Sequence, residues 1–183
     1  MDYYTPELRS RLSEEGKMLI AFIGAERFCQ RHHIHHPELE AIIAHAWTCL
    51  TMDNSPEQWD DWEAGFHREK IDPMDGMYPE GLLEELPQDV KKDFEILLEY
   101  CVEITASSWG ASGYDASEEC FEKAIAILEK HHIPLPAIEP FIRVLPRYYR
   151  QPVMSQEHAQ LFRQYVSTTV SVDQQGSEPE CEG

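Results

Sequence analysis

Positive charge is what this sequence has least of. Against 34 aspartates and glutamates stand only 15 lysines and arginines, a formal net charge of −19. A polyanion of this kind is repelled by phosphate backbones and anionic membranes and attracted to basic proteins. The expected partner is therefore a basic protein, with nucleic acid and membrane both disfavoured. Long apolar runs are also missing, since the longest, Met18 to Ala25, falls well short of the ~20 residues that cross a bilayer. The opening Met1-Asp2-Tyr3-Tyr4 has neither the basic nor the apolar region of a secretory signal, so the expected location is cytoplasmic. Cys29, Cys49, Cys101, Cys120 and Cys181 are odd in number, scattered, and without a Cys-x-x-Cys pair. That excludes a disulfide framework and a thiolate zinc site, and it leaves reduced thiols that serve as small core hydrophobes.

Signatures of catalysis are lacking too. There is no Gly-x-Ser-x-Gly elbow and no glycine-rich phosphate loop ahead of a helix. The string Trp109-Gly110-Ala111-Ser112-Gly113-Tyr114-Asp115 has the glycines but neither the lysine nor the preceding strand. It is expected to be an interhelical link whose Trp109 and Tyr114 contribute to a binding surface. No cofactor is implied, and the chain points away from an enzyme.

What is present is helical patterning. Apolar residues make up 42% and aromatics 10% of 183 residues, which suits one globular domain with its own core. No segment alternates as a strand would, so the expected fold class is all-α, a single compact multi-helix domain of about six to eight helices. The domain is expected over 1–167, with 168–183 a disordered acidic tail rich in Ser, Gln, Glu and Gly.

The first helix is expected from Pro6 to His32, apolar nearly all round at Met18 to Ile23 and hence central. A second runs from Pro37 to Leu50, where Leu39, Ile42, Ile43, Ala46, Trp47 and Leu50 make a core face. Ser55-Pro56-Glu57-Gln58 is a capping box opening a third helix that carries Trp59, Trp62 and Phe66. After a turn-rich loop, Ile71 to Pro79, the pattern gives a short helical piece to Leu86 and a long helix from Pro87 to Ser108. Then come Ala116 to His132, capped by Asp115 with Glu118, a short helix over Ala137 to Leu145, and a last one from Ser155 to Val166.

Two corners echo each other. Arg31-His32-His33-Ile34 and Lys130-His131-His132-Ile133 each end a helix and precede a proline-bounded link. A duplicated helix-turn-helix unit explains this, as in a helical-repeat adaptor. So does convergence, which is favoured because helix ends generally prefer basic residues there and proline soon after.

Three constellations could carry chemistry. The histidines His32, His33, His35 and His36, with His45 beyond, are of metal-binding type, and His33 and His36 would be the ligands of a metal-dependent or hydrolytic enzyme. Their spacing across a helix end is wrong for a helical His-x-x-x-His pair, so no metal is expected. Glu26 falls on the face expected to be buried, where it would pair with Arg27, Arg143 or Arg147, or act as an acid. The aromatic and acidic helix around Trp59, Asp60, Asp61, Trp62 and Glu63 opens a stretch, Asp53 to Ile104, with 16 acidic and 4 basic residues. With Asp72, Asp75, Tyr78, Trp109 and Tyr114, these residues form the expected partner-binding set. The function that follows is an acidic interaction domain that neutralises a basic partner, most concretely an immunity-type protein against a cationic toxin.

Overall fold

The computed structural model describes residues 4–52, 55–106, 114–145 and 154–169. Within them lie eight α-helices: α1 Pro6–Arg9, α2 Glu14–His32, α3 Pro37–Ala46, α4 Pro56–Ala64, α5 Gln88–Ala106, α6 Tyr114–Lys130, α7 Glu139–Val144 and α8 Gln156–Thr168. A 3₁₀ helix, Trp47–Thr51, continues α3. Among the described residues there is no strand beyond an isolated antiparallel bridge between Asp72 and Met77. None of these helices is long and apolar enough to cross a membrane. The all-α class is therefore as the patterning requires; of the expected tail, 168–183, Thr168 still belongs to α8 and Thr169 caps it, while 170–183 lie outside the described residues.

Helix α2 is central because it has no polar face in its middle: every residue from Gly16 to Ala25 is buried. It packs on both α5 and α6, which also pack on each other, while α3 lies against α2 and α8 against the 3₁₀ helix. Lys17 meets Glu118 near the starts of α2 and α6, and Phe28 meets His131 near their ends, so these two helices run parallel. Helix α5 runs antiparallel to α6, with Asp93 beside Lys130 at one end and Glu103 beside Cys120 at the other. Phe22, Phe28, Phe94, Phe121 and Phe141 fill the space between the helices.

Gly24 sets how closely α2 approaches α6. A Cβ there would lie 2.2 Å from Leu128 Cδ1 and 3.2 Å from its Cγ, inside a fully buried side chain. Gly24→Ala is expected to cost about 1–3 kcal/mol through overpacking. Thermal melts check it: adding Leu128→Ala to that variant should recover part of its own cost, so the two losses should sum to less than additivity.

The boundaries differ from the patterning in ways that have local causes. The expected Pro6 to His32 helix is interrupted at Ser10–Ser13, because Ser13 adopts an extended backbone and its hydroxyl accepts from Gly16 N–H at 3.1 Å, starting α2 afresh. The second helix tightens to 3₁₀ geometry at Trp47. The helical piece expected before Leu86 is a series of turns through Gly81, whose φ of 84° suits glycine. Glu118, expected to cap α6 with Asp115, faces Lys17 and Arg9, and the Asp115 side chain lies outside the described residues. Cys29, Cys49, Cys101 and Cys120 are buried free thiols, as expected, and burial pushes the Cys29 thiol up to about 12. Cys181 lies outside the described residues.

The two echoing corners share one backbone device. His33 and His132 both sit in the left-handed region, at φ 57° and 51°. The next N–H, of Ile34 or Ile133, donates back to Cys29 or Leu128 O at 2.9 Å, and both isoleucines are buried. This is the Schellman helix ending with its hydrophobic contact. The following helices differ: α3 has ten residues and is capped by the His36 side chain, whereas α7 has six and receives no side-chain cap from Ile138.

Candidate functional site

The histidine cluster resolves into separate structural roles. His33 is an exposed left-handed helix terminus, and His36 Nδ1 accepts from Glu38 N–H at 3.2 Å as the N-cap of α3. His45 Nε2 lies 2.8 Å from Trp62 O, joining α3 to α4. Among the described residues, no three His, Cys, Asp or Glu side chains are arranged to hold a metal ion.

The equivalent first histidines of the two corners meet, a contact the sequence did not announce. The His32 and His131 rings are 5.1 Å apart and nearly perpendicular, and both lie against Phe28, at 4.4 and 4.7 Å. His131 Nε2 and Lys130 Nζ each lie 2.6 Å from Asp93 Oδ2. Burial pushes the Asp93 carboxyl up, but hydrogen bonds and charge from Lys130 and His131 outweigh it and hold the group below its ordinary range. His32 is pushed down, first by burial and then by the neighbouring His131 and Arg31, with Asp89 opposing.

These two shifts act in different pH windows. Because folding lowers the His32 pKa, the unfolded chain binds more protons just below the ordinary value of 6.5. Stability is full above that pH and falls as acid titrates His32 toward its folded value. Asp93 contributes above its ordinary value of 3.8 and loses that contribution below it. Urea midpoints measured between about pH 7 and 5 should fall on acidification, and His32→Phe should remove part of that slope while leaving the Asp93 window below it.

Glu26 is not the buried acid its place on α2 suggested. Its side chain is 35% exposed and lies 3.8 Å from Arg163 of α8; of the expected partners, Arg27 feels its charge and Arg147 lies outside the described residues. Arg27 is occupied elsewhere, and Arg143 is exposed. Helix α8 passes this end of α2, which no local pattern could show.

The expected partner-binding set divides. Trp59 and Trp62 are core, with ring centroids 5.1 Å apart and Trp62 edge-on to Phe66, so they cannot anchor a partner. Asp60 and Asp61 are exposed and Glu63 is half-buried on the outer side of α4. Asp72 is buried and serves as an internal brace: its Oδ1 accepts from Met74 and Asp75 N–H, and its Oδ2 lies 2.7 Å from His67 Nδ1. Tyr78 is half-buried and donates its hydroxyl to Glu95 O at 3.4 Å, pinning the loop to α5. Trp109 and the Tyr114 side chain lie outside the described residues.

What Asp72 braces is a four-residue hairpin turn, Pro73 to Gly76, closed by paired 2.8 Å bonds between Asp72 and Met77. Gly76 takes φ 65° at its end. The turn holds Met74 and Met77 outward, 36% and 42% exposed. Asp75 stands between them, and Glu69, Glu80, Glu84 and Glu85 are exposed on either side in the chain.

No family model, curated protein or solved structure matches the chain. The methionines were legible in one respect: apolar residues inside a stretch dense in Pro, Asp and Gly have no helical face on which to be buried.

Proposed function

We propose that the protein binds a basic protein partner through the acidic turn following α4, with Met74 and Met77 as its apolar contacts. The observation that carries this reading is their exposure on a turn held rigid by Asp72. Carboxylates around them draw a cationic partner in, and methionine, flexible and polarizable, packs against varied apolar surfaces. A braced turn loses little freedom on binding, which favours affinity. The concrete form of the reading is an immunity-type protein that covers a cationic toxin such as a nuclease.

The test is to mix the chain at micromolar concentration with any cationic, toxin-like protein encoded by an adjacent gene, using polylysine as the control for charge alone. A 1:1 complex that weakens with salt, and weakens about tenfold or more in Met74→Asp/Met77→Asp, supports the reading. Asp60→Asn/Asp61→Asn should mainly slow association. Absence of a complex, or one indifferent to the methionines, counts against it.

A second reading, a helical-repeat adaptor, draws on the shared geometry of the two corners. It requires that α2 with α3 and α6 with α7 superimpose as pairs. The unequal lengths and caps of α3 and α7 weigh against it.

A further inference from the structure

A cleft of about 410 Å³ opens where the C-terminal half of α2, the corner after it, α3 and α8 come together. Its floor is apolar, with Cys29, Ile34, Leu39 and Ile43 all buried. Its rim carries both signs of charge, Glu26 and Glu40 with Arg163, beside Gln30 and His35. Pockets of this volume, apolar with a few convergent polar groups, are of the size that takes small molecules.

Glu26 and Arg163 are not closed on each other. Their nearest atoms are 3.8 Å apart, beyond hydrogen-bond length, and the side chains remain 35% and 32% exposed. The guanidinium is steadied from another direction, lying over the Trp47 ring at 5.4 Å, a contact that uses its face and not its N–H donors. A carboxylate and a guanidinium thus stand side by side over an apolar floor. A lone cation would meet the repulsion of Arg163, and a lone anion that of Glu26 and Glu40. A zwitterion whose ammonium and carboxylate are joined through one carbon meets neither, because each charge faces its opposite and the pair need not be pulled apart.

We propose that this cleft binds a free α-amino acid with a large apolar side chain. The ammonium faces Glu26, the carboxylate faces Arg163, and the side chain lies on Cys29, Ile34, Leu39 and Ile43. The site is separate from the acidic turn, and the proposal does not depend on the partner-binding reading.

Calorimetric titration of the full chain with leucine, methionine and phenylalanine tests it, alongside 3-methylbutylamine and 4-methylpentanoate, which keep the apolar body and lose one charge. Saturable binding of at least one amino acid is expected, at least tenfold tighter than either analogue. Glu26→Gln and Arg163→Gln should each weaken it at least tenfold, with melting curves confirming that both variants fold. The comparison of ligands on the unaltered chain stands even if a variant does not. Equal binding of the analogues, no binding by any of the amino acids at about 10 mM, or full binding by folded Glu26→Gln protein overturns the proposal.

Discussion

Replacing Glu118 with alanine is expected to lower folding stability by about 1.5–3 kcal/mol, although that side chain is 30% exposed. The cost arises at its partner. Lys17 is 0% exposed near the start of α2, and its ammonium donates to Glu118 across the α2 and α6 interface. A buried cation is tolerated when an opposite charge faces it, and removing that charge takes away part of what offsets its desolvation. Arg9 reinforces the arrangement from α1, with Nε 3.8 Å from Glu118 and Nη2 2.9 Å from Glu122.

Lys17→Met should behave very differently. It removes the buried charge and fills similar space, while Glu118 keeps partial solvation and Arg9, so the expected cost is below about 1.5 kcal/mol. Urea denaturation of both single variants and the double variant reads the asymmetry. In the Lys17→Met background, Glu118→Ala should cost much less than it does alone. Equal and additive losses would show that the pair is not coupled.

Glu118 also shows where sequence reading reaches its limit. Asp115 and Glu118 carry the spacing of a helix start, and α6 does begin nearby, at Tyr114. The partner of Glu118, however, lies 101 residues earlier in the chain. Local spacing finds helices because backbone hydrogen bonds are local; it cannot find the counter-charge, which depends on two helices running parallel. For the same reason the sequence placed α2 at the centre from its unbroken apolar run, yet misjudged Glu26, whose exposure is set by how α8 returns.

The candidate site was legible in its charge and not in its contacts. The acidic excess between Asp53 and Ile104 is a matter of counting. Trp59 and Trp62 have both the type and the helical spacing of core residues, and core is where they lie. Asp72 reads as one more acid in an acidic loop, whereas the fold gives it two backbone N–H groups and a histidine to satisfy. Its bonds shape the turn on which Met74 and Met77 stand exposed, so the proposed contact surface depends on a side chain that is itself buried.

Arg27→Met is the second change expected to have a large effect, and its consequence is regional. The guanidinium donates to Pro134 O in the link after the second corner and to Ser167 O and Thr169 O, at 2.8 and 2.9 Å, at the end of α8. The last carbonyls of a helix have no partner within it; here Arg27 of α2 donates to Ser167 O and Thr169 O, while Thr168 and Thr169 serve the carbonyls just before them. Burial lowers the Arg27 pKa, opposed by charge on Tyr4 and Glu26. Methionine keeps much of the packing and removes every donor, at an expected cost of about 3 kcal/mol. Because α8 otherwise rests on the 3₁₀ helix and on contacts such as Phe141 with Phe162, the loss should appear as local opening. Hydrogen exchange in Gln156–Thr168 should accelerate far more than in α2, α5 or α6. The same opening would carry Arg163 away from Glu26, so amino-acid binding in the cleft should fall with α8 protection while the turn at Met74 and Met77 is unaffected. Uniform acceleration across all helices would instead make Arg27 a general core contact and remove the distinction.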